Sequence, residues 1–163
     1  MSTTHDELAG VVDLFGALTH AELTAALGEL AFKKGQDVDE TALEAAIESA
    51  VRAYALVEYE PADRPEASAS ETLVTVGPTA FPTLPPNAED LPHILDFDRR
   101  SVDRQRLAAQ VSERLTAEAT AVADAGETDR AAELLDVSYD IETWVSVDAG
   151  AVRSTLEPVL PQD

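Results

Sequence analysis

The sequence has no cysteine. That excludes a disulfide framework, a thiolate metal site and a thiol nucleophile. Lysine is nearly absent too: Lys33 and Lys34 stand against nine arginines. No apolar run approaches the roughly 18 residues that a membrane span needs. Met1 to Glu7 holds neither a basic region nor an apolar stretch, so no secretory signal is expected. No glycine cluster resembles a phosphate cradle; Gly16, Gly28 and Gly35 punctuate helical patterns instead. Aromatic residues make up only 5% of the chain. Most of them sit at spacings that suit core anchors. Tyr139 and Trp144, flanking Ile141, fit either core positions or an exposed patch.

What is abundant is acid. The 163 residues carry 32 Asp and Glu against 11 Lys and Arg, a net charge of -21. The excess is spread along the chain: ten acids and three bases in 1–57, nine and one in 58–98, thirteen and seven in 99–163. Such an even charge repels itself in dilute salt. At about 1 M salt the Debye length is only ~3 Å, and most of that repulsion is screened. Low Lys, high Asp and Glu, and abundant Ala, Thr and Val fit a cytosol of very high salt. The competing reading, an acidic protein made for a basic partner, predicts a clustered patch instead. With 45% hydrophobic residues the chain is too apolar to be disordered throughout. A soluble, cytoplasmic, globular protein is expected.

Helix signals come first along the chain. Thr4-His5-Asp6-Glu7 fits a capping box, and Leu8, Val11, Val12 and Phe15 follow at helical spacing. Thr19-His20-Ala21-Glu22 is a second box, leading into Leu23, Ala26, Leu27 and Leu30 until Gly35. A third helix starts between Asp37 and Glu40 and runs to about Ala55, with Leu43, Ile47, Val51 and Tyr54 on one face. The period then changes from 3.6 to 2. Leu56–Glu60 and Thr72–Val76 read as a hairpin around a loop at 62–70. Five of the nine prolines fall within 78–98, which predicts an extended, packed connector. A long helix is expected over 101–125, a short one from Thr128, a further turn around Tyr139 to Trp144, and a last helix after Asp148.

The expected fold is mainly α, of the α+β class. Residues 1–77 form a winged-helix-like module with a β-hairpin, 78–98 a Pro-rich packed connector, and 99–163 a helical half. The alternative for the first part is a generic helical bundle with an attached hairpin. A helix as long as 101–125 suits a dimer element or a cover for the core.

The segments LAGVVDLFGALTHAELTAALGELAFKKG and GPTAFPTLPPNAEDLPHILDFDRRSVDR resemble a family of small acidic proteins from halophilic archaea with no assigned function. The resemblance extends over most of the chain. It implies a high-salt environment and assigns no catalytic residue.

Candidate sites are few. Arg99, Arg100, Arg104 and Arg106 form the one basic cluster, at the start of the long helix, where cations oppose the helix dipole. They suit an anion or acidic-partner contact. The favoured reading is ion pairing with Asp96, Asp98, Asp103 and Glu113, within one chain or between two. His93, Asp96 and Asp98 lie close enough in sequence to suggest metal ligands, but a proline-rich approach gives no regular geometry, and solvated side chains are expected. His5 and His20 read as surface residues. Carboxylate pairs such as Asp136 with Asp140, or Glu40 with Glu44, follow from composition alone. Ser146 and Ser154 have no visible histidine partner. No enzyme and no cofactor are expected.

A DNA-reading third helix needs Arg, Lys, Asn or Gln. This one offers Glu40, Glu44 and Glu48, with Arg52 near its end, and the loop tip offers Arg64 beside Asp63 and Glu66. The expected role is therefore a non-catalytic regulatory or adaptor protein acting through a protein partner or self-association, with no membrane. The alternative is a winged-helix DNA-binding transcriptional regulator, which the acidic third helix disfavours.

Overall fold

The computed structural model describes residues 5–33, 35, 37, 39–60, 72–85, 88–95, 97 and 99–160. The capping residue Thr4, the loop at 62–70, Asp96 and Asp98 lie outside them. The protein is mostly helical, with one small antiparallel sheet, and divides into two compact units, 1–102 and 103–163.

The first unit is built around α1 (His5–Phe15). Its 3.6-residue apolar repeat puts Leu8, Val11, Val12 and Phe15 in the core, and Ala9 and Gly10 are buried as well. Gly16 ends it in the left-handed region (φ 82°). A Cβ there would overlap the Arg100 carbonyl oxygen, so glycine is needed for backbone shape and for space alike. The next residues form a strand that the sequence pattern did not reveal: β1, only Leu18–Thr19.

Thr19 is both strand residue and helix cap. Its Oγ1 accepts from the Glu22 N–H (3.1 Å), and its own N–H donates to Glu22 Oε1 (2.9 Å). This reciprocal box opens α2 (His20–Lys33), which buries Leu23, Ala26, Leu27 and Leu30. α3 (Glu40–Arg52) starts at Asp39, whose carboxylate accepts from the Ala42 N–H at 3.2 Å. It ends before Tyr54, three residues earlier than the apolar repeat predicts. Tyr54 adopts φ 64° with its side chain fully buried. A buried aromatic ring holds a backbone conformation that an L-residue otherwise avoids.

That turn feeds β2 (Leu56–Tyr59), which pairs with β3 (Leu73–Val76) from Leu56↔Val76 to Tyr59↔Leu73. β1 pairs on the other side of β3, Leu18↔Val74 and Thr19↔Leu73. The strand order is β1-β3-β2, all antiparallel. β3 is therefore central, and its Leu73, Val74 and Thr75 are all buried. Thr75 satisfies its hydroxyl by donating to the Gly16 carbonyl at 2.7 Å.

The proline-rich stretch lies on α1. The Thr83 N–H donates to the Asp6 carbonyl (2.9 Å), and the Phe81 N–H to the Asp6 carboxylate (3.1 Å). Gly10 makes the approach feasible, because a Cβ at that position would overlap the Thr83 carbonyl oxygen. The stretch is not extended throughout: a 3-10 turn, Ala88–Asp90, leads into the short helix α4 (Leu91–Leu95), and both Ala88 and Leu91 are core residues.

The second unit is helical. α5 (Arg104–Ala125) is capped by Asp103, which accepts from the Gln105 and Arg106 N–H groups. It buries Leu107, Val111, Leu115, Ala119 and Val122 at helical spacing. α6 (Thr128–Trp144) is one helix of 17 residues, not a short helix followed by a separate turn. Glu127, not Thr128, stands at its cap position. α7 (Gly150–Leu156) packs on both, through Val152 and Leu156.

Candidate functional site

The four clustered arginines separate. Arg99 and Arg100 belong to the first unit, Arg104 and Arg106 to the second. Sequence spacing does not determine their partners. The Arg99 guanidinium donates to the Leu14 carbonyl at 3.0 Å and to the Asp13 carbonyl at 3.3 Å. Those are carbonyls at the C-terminal end of α1, where a cation is favoured. Arg100 grips both carboxylate oxygens of Glu22 and also donates to the Ala17 carbonyl at 3.2 Å. Its backbone N–H donates to the Phe15 carbonyl at 2.8 Å. Both side chains thus tie residues 99 and 100 to the α1–β1 corner.

Glu22 shows the electrostatic result. Burial alone pushes its carboxyl pKa up. Hydrogen bonds from Arg100 and from the Thr19 N–H outweigh that, and hold it below the usual carboxylate range.

The groove between α2 and α3 is acidic. It encloses about 630 Å³, with Ala21, Ala25 and Gly28 along α2 and Glu40, Glu44 and Glu48 along α3. His20 stands at its rim. His5 lies elsewhere, its Nε2 2.9 Å from Ser49 Oγ. Among the described residues no group of three or more His, Asp or Glu could hold a metal ion. No helix among them is long and apolar enough to cross a membrane.

Apolar exposure in the first unit is concentrated in a few large side chains. Phe81 is 80% exposed and Leu84 47%, both on the proline-rich stretch clamped to α1. Phe32, at the end of α2, is 74% exposed.

In the second unit most arginines are neutralised. Arg114 pairs with Glu118 (2.8 Å), Arg130 with Glu118 (2.7 Å) and Glu133 (3.1 Å), and Arg153 with Glu142 (3.0 Å). Arg153 also lies over the Tyr139 ring, 4.5 Å from its centroid. Its hydrogen bond, together with one from the Ala149 N–H, lowers the Glu142 pKa.

Arg104 differs. Its guanidinium stacks on Trp144, 4.8 Å from the ring centroid, and donates to the Trp144 carbonyl at 3.0 Å. Sequence reasoning placed Arg104 in a basic cluster and left Trp144 between core and surface. Their partnership spans 40 residues, and no local signal announces it.

Neither the curated proteins nor the solved structures contain a match to this chain. A family model described as a family of unknown function (DUF7109) matches residues 6–161, and the chain belongs to that family.

Proposed function

We propose that this protein is a non-catalytic regulatory or adaptor module of a high-salt cytosol, acting through protein contacts and self-association. The observation that carries this reading is the presentation of Phe81 and Leu84. Both are large, apolar and exposed. Both sit on a proline-rich stretch whose backbone is bonded to Asp6. A partner meeting this strip finds it already ordered, so little conformational entropy is lost on binding. The net charge of -21 supports the high-salt environment.

The order of elements supports a winged-helix-like first unit: helix, short strand, two helices and two more strands, with β3 in the middle of the sheet. Its chemistry speaks against phosphate binding. α3 carries Glu40, Glu44 and Glu48 beside the α2 groove, and Arg99 and Arg100 are bonded to the chain's own carbonyls and to Glu22.

Light scattering across a concentration series in molar KCl tests the reading. The wild type is expected to self-associate, and the double variant Phe81→Ser, Leu84→Ser to remain monomeric at an unchanged melting temperature. Equal behaviour of the two removes the strip from the function. Saturable binding of random duplex DNA in the same salt, read by anisotropy, would restore the DNA-binding alternative.

A further inference from the structure

Arg104 is held against Trp144 and has no counter-charge among the described residues. Among the described residues its side chain makes one hydrogen bond, to the Trp144 carbonyl, and pairs with no carboxylate. A guanidinium has five N–H donors in a planar fork. In a chain with 32 acids and 11 bases, an exposed arginine that has no carboxylate partner among the described residues is conspicuous.

It lies on a trough of about 540 Å³ in the second unit. Ala108, Ala109, Val145 and Val147 give this trough an apolar lining. The N-terminus of α5 does not supply the charge, because Asp103 already accepts from its first free N–H groups. The Trp144 ring covers one side of the guanidinium. Along one wall the chain leaves α6 extended at Val145 (φ −140°, ψ 164°). Ser146 follows, exposed, at the centre of a tight turn that the Val147 N–H closes on the Val145 carbonyl at 3.0 Å.

We infer that this trough binds an acidic peptide segment of a partner protein, with one side-chain carboxylate on Arg104 and a small aliphatic neighbour against the alanines and valines. Two features match that occupant. The arginine fork fits a carboxylate. The lining takes an aliphatic side chain. The inference deepens the protein-contact reading and rests on it for the nature of the partner, but it uses a different unit from the Phe81 strip.

Trp144 is the chain's single tryptophan, so its fluorescence reports directly on the site. The probes are the peptide acetyl-Val-Glu-Val-amide, the same peptide with Gln for Glu, and inorganic phosphate, each titrated into the full chain. The expected result is a saturable fluorescence change with the Glu peptide. The Gln peptide should bind at least about tenfold more weakly, as expected when a charge-assisted bond to arginine is lost. Arg104→Gln should abolish the response, and Arg104→Lys should weaken it. Ala109→Glu, which places a competing carboxylate at an exposed helix position of the trough, should abolish it without replacing Arg104. Melting temperatures of all variants confirm folding.

An equal response to the Glu and Gln peptides overturns the inference. So does no saturable response to the Glu peptide, or a response that phosphate alone reproduces. If the wild type still self-associates through Phe81 while the Glu peptide fails, this site falls and the protein-contact reading stands. If the peptide binds at Arg104 while the Phe81 variant assembles like the wild type, the trough stands and the strip falls.

Discussion

Arg100 and Glu22 are joined through both terminal guanidinium nitrogens and both carboxylate oxygens, although 78 residues separate them. Glu22 at the same time closes the Thr19 capping box. One carboxylate therefore fixes the start of α2 and fastens the end of the first unit to its beginning.

Glu22→Gln separates these two roles, since glutamine still accepts from the Thr19 N–H but carries no charge. The pair is only partly buried, with side chains 33% and 22% exposed. We expect a loss of about 1–3 kcal/mol, between that of an exposed ion pair and a buried charged hydrogen bond. The Glu22 pKa is lowered in the folded state. Its contribution is therefore present above the ordinary carboxylate range and lost as pH falls through the lowered value. Thermal melts between neutral and acid pH should show a shallower acid limb for the variant.

Gly10→Ala should destabilise despite the better helix propensity of alanine. Propensity offers about 1 kcal/mol. The new Cβ would overlap the backbone of Thr83, which is itself bonded to Asp6. Overpacking of this kind costs about 1–3 kcal/mol, and displacing the segment also breaks its hydrogen bonds. Denaturant midpoints should fall. A higher midpoint would show that the proline-rich stretch does not lie where α1 holds it.

Asp140→Asn should stabilise at neutral pH. Burial, and then the neighbouring charge of Asp136, raise the Asp140 pKa. Asp136 and Asp140 are four apart on α6, the repulsive arrangement for like charges. A raised carboxylate pKa favours the fold below the ordinary carboxylate range, and that advantage disappears as pH rises through the raised value. The expected gain is about 0.5 kcal/mol at pH 7 and nil in acid, read from paired melts.

Salt should stabilise the whole chain. A net charge of -21 repels itself, and molar KCl screens that repulsion. The melting midpoint by circular dichroism should climb steadily with KCl. A midpoint indifferent to salt would remove the high-salt reading.

What was legible in the sequence was local. The Thr19–Glu22 box, the start at Asp39 and the apolar stripe of α5 follow from short-range periodicity and capping, because helix geometry couples residues only three or four apart. The hairpin partners Leu56–Tyr59 and Leu73–Val76 were visible through β-branched residues and their flanking breakers. Tertiary structure decided the rest. Two residues, Leu18 and Thr19, cannot display a strand period, and they become β1 only because β3 lies alongside. Tyr54 continues the helical stripe of α3 in sequence, yet burial of its ring turns the backbone left-handed instead. The four arginines look like one cluster along the chain. Partners far off in sequence divided them, giving Arg99 and Arg100 to the α1–β1 corner and Arg104 to Trp144. A side chain's charge is set by the sequence, but what neutralises it depends on which distant groups folding brings within hydrogen-bond reach.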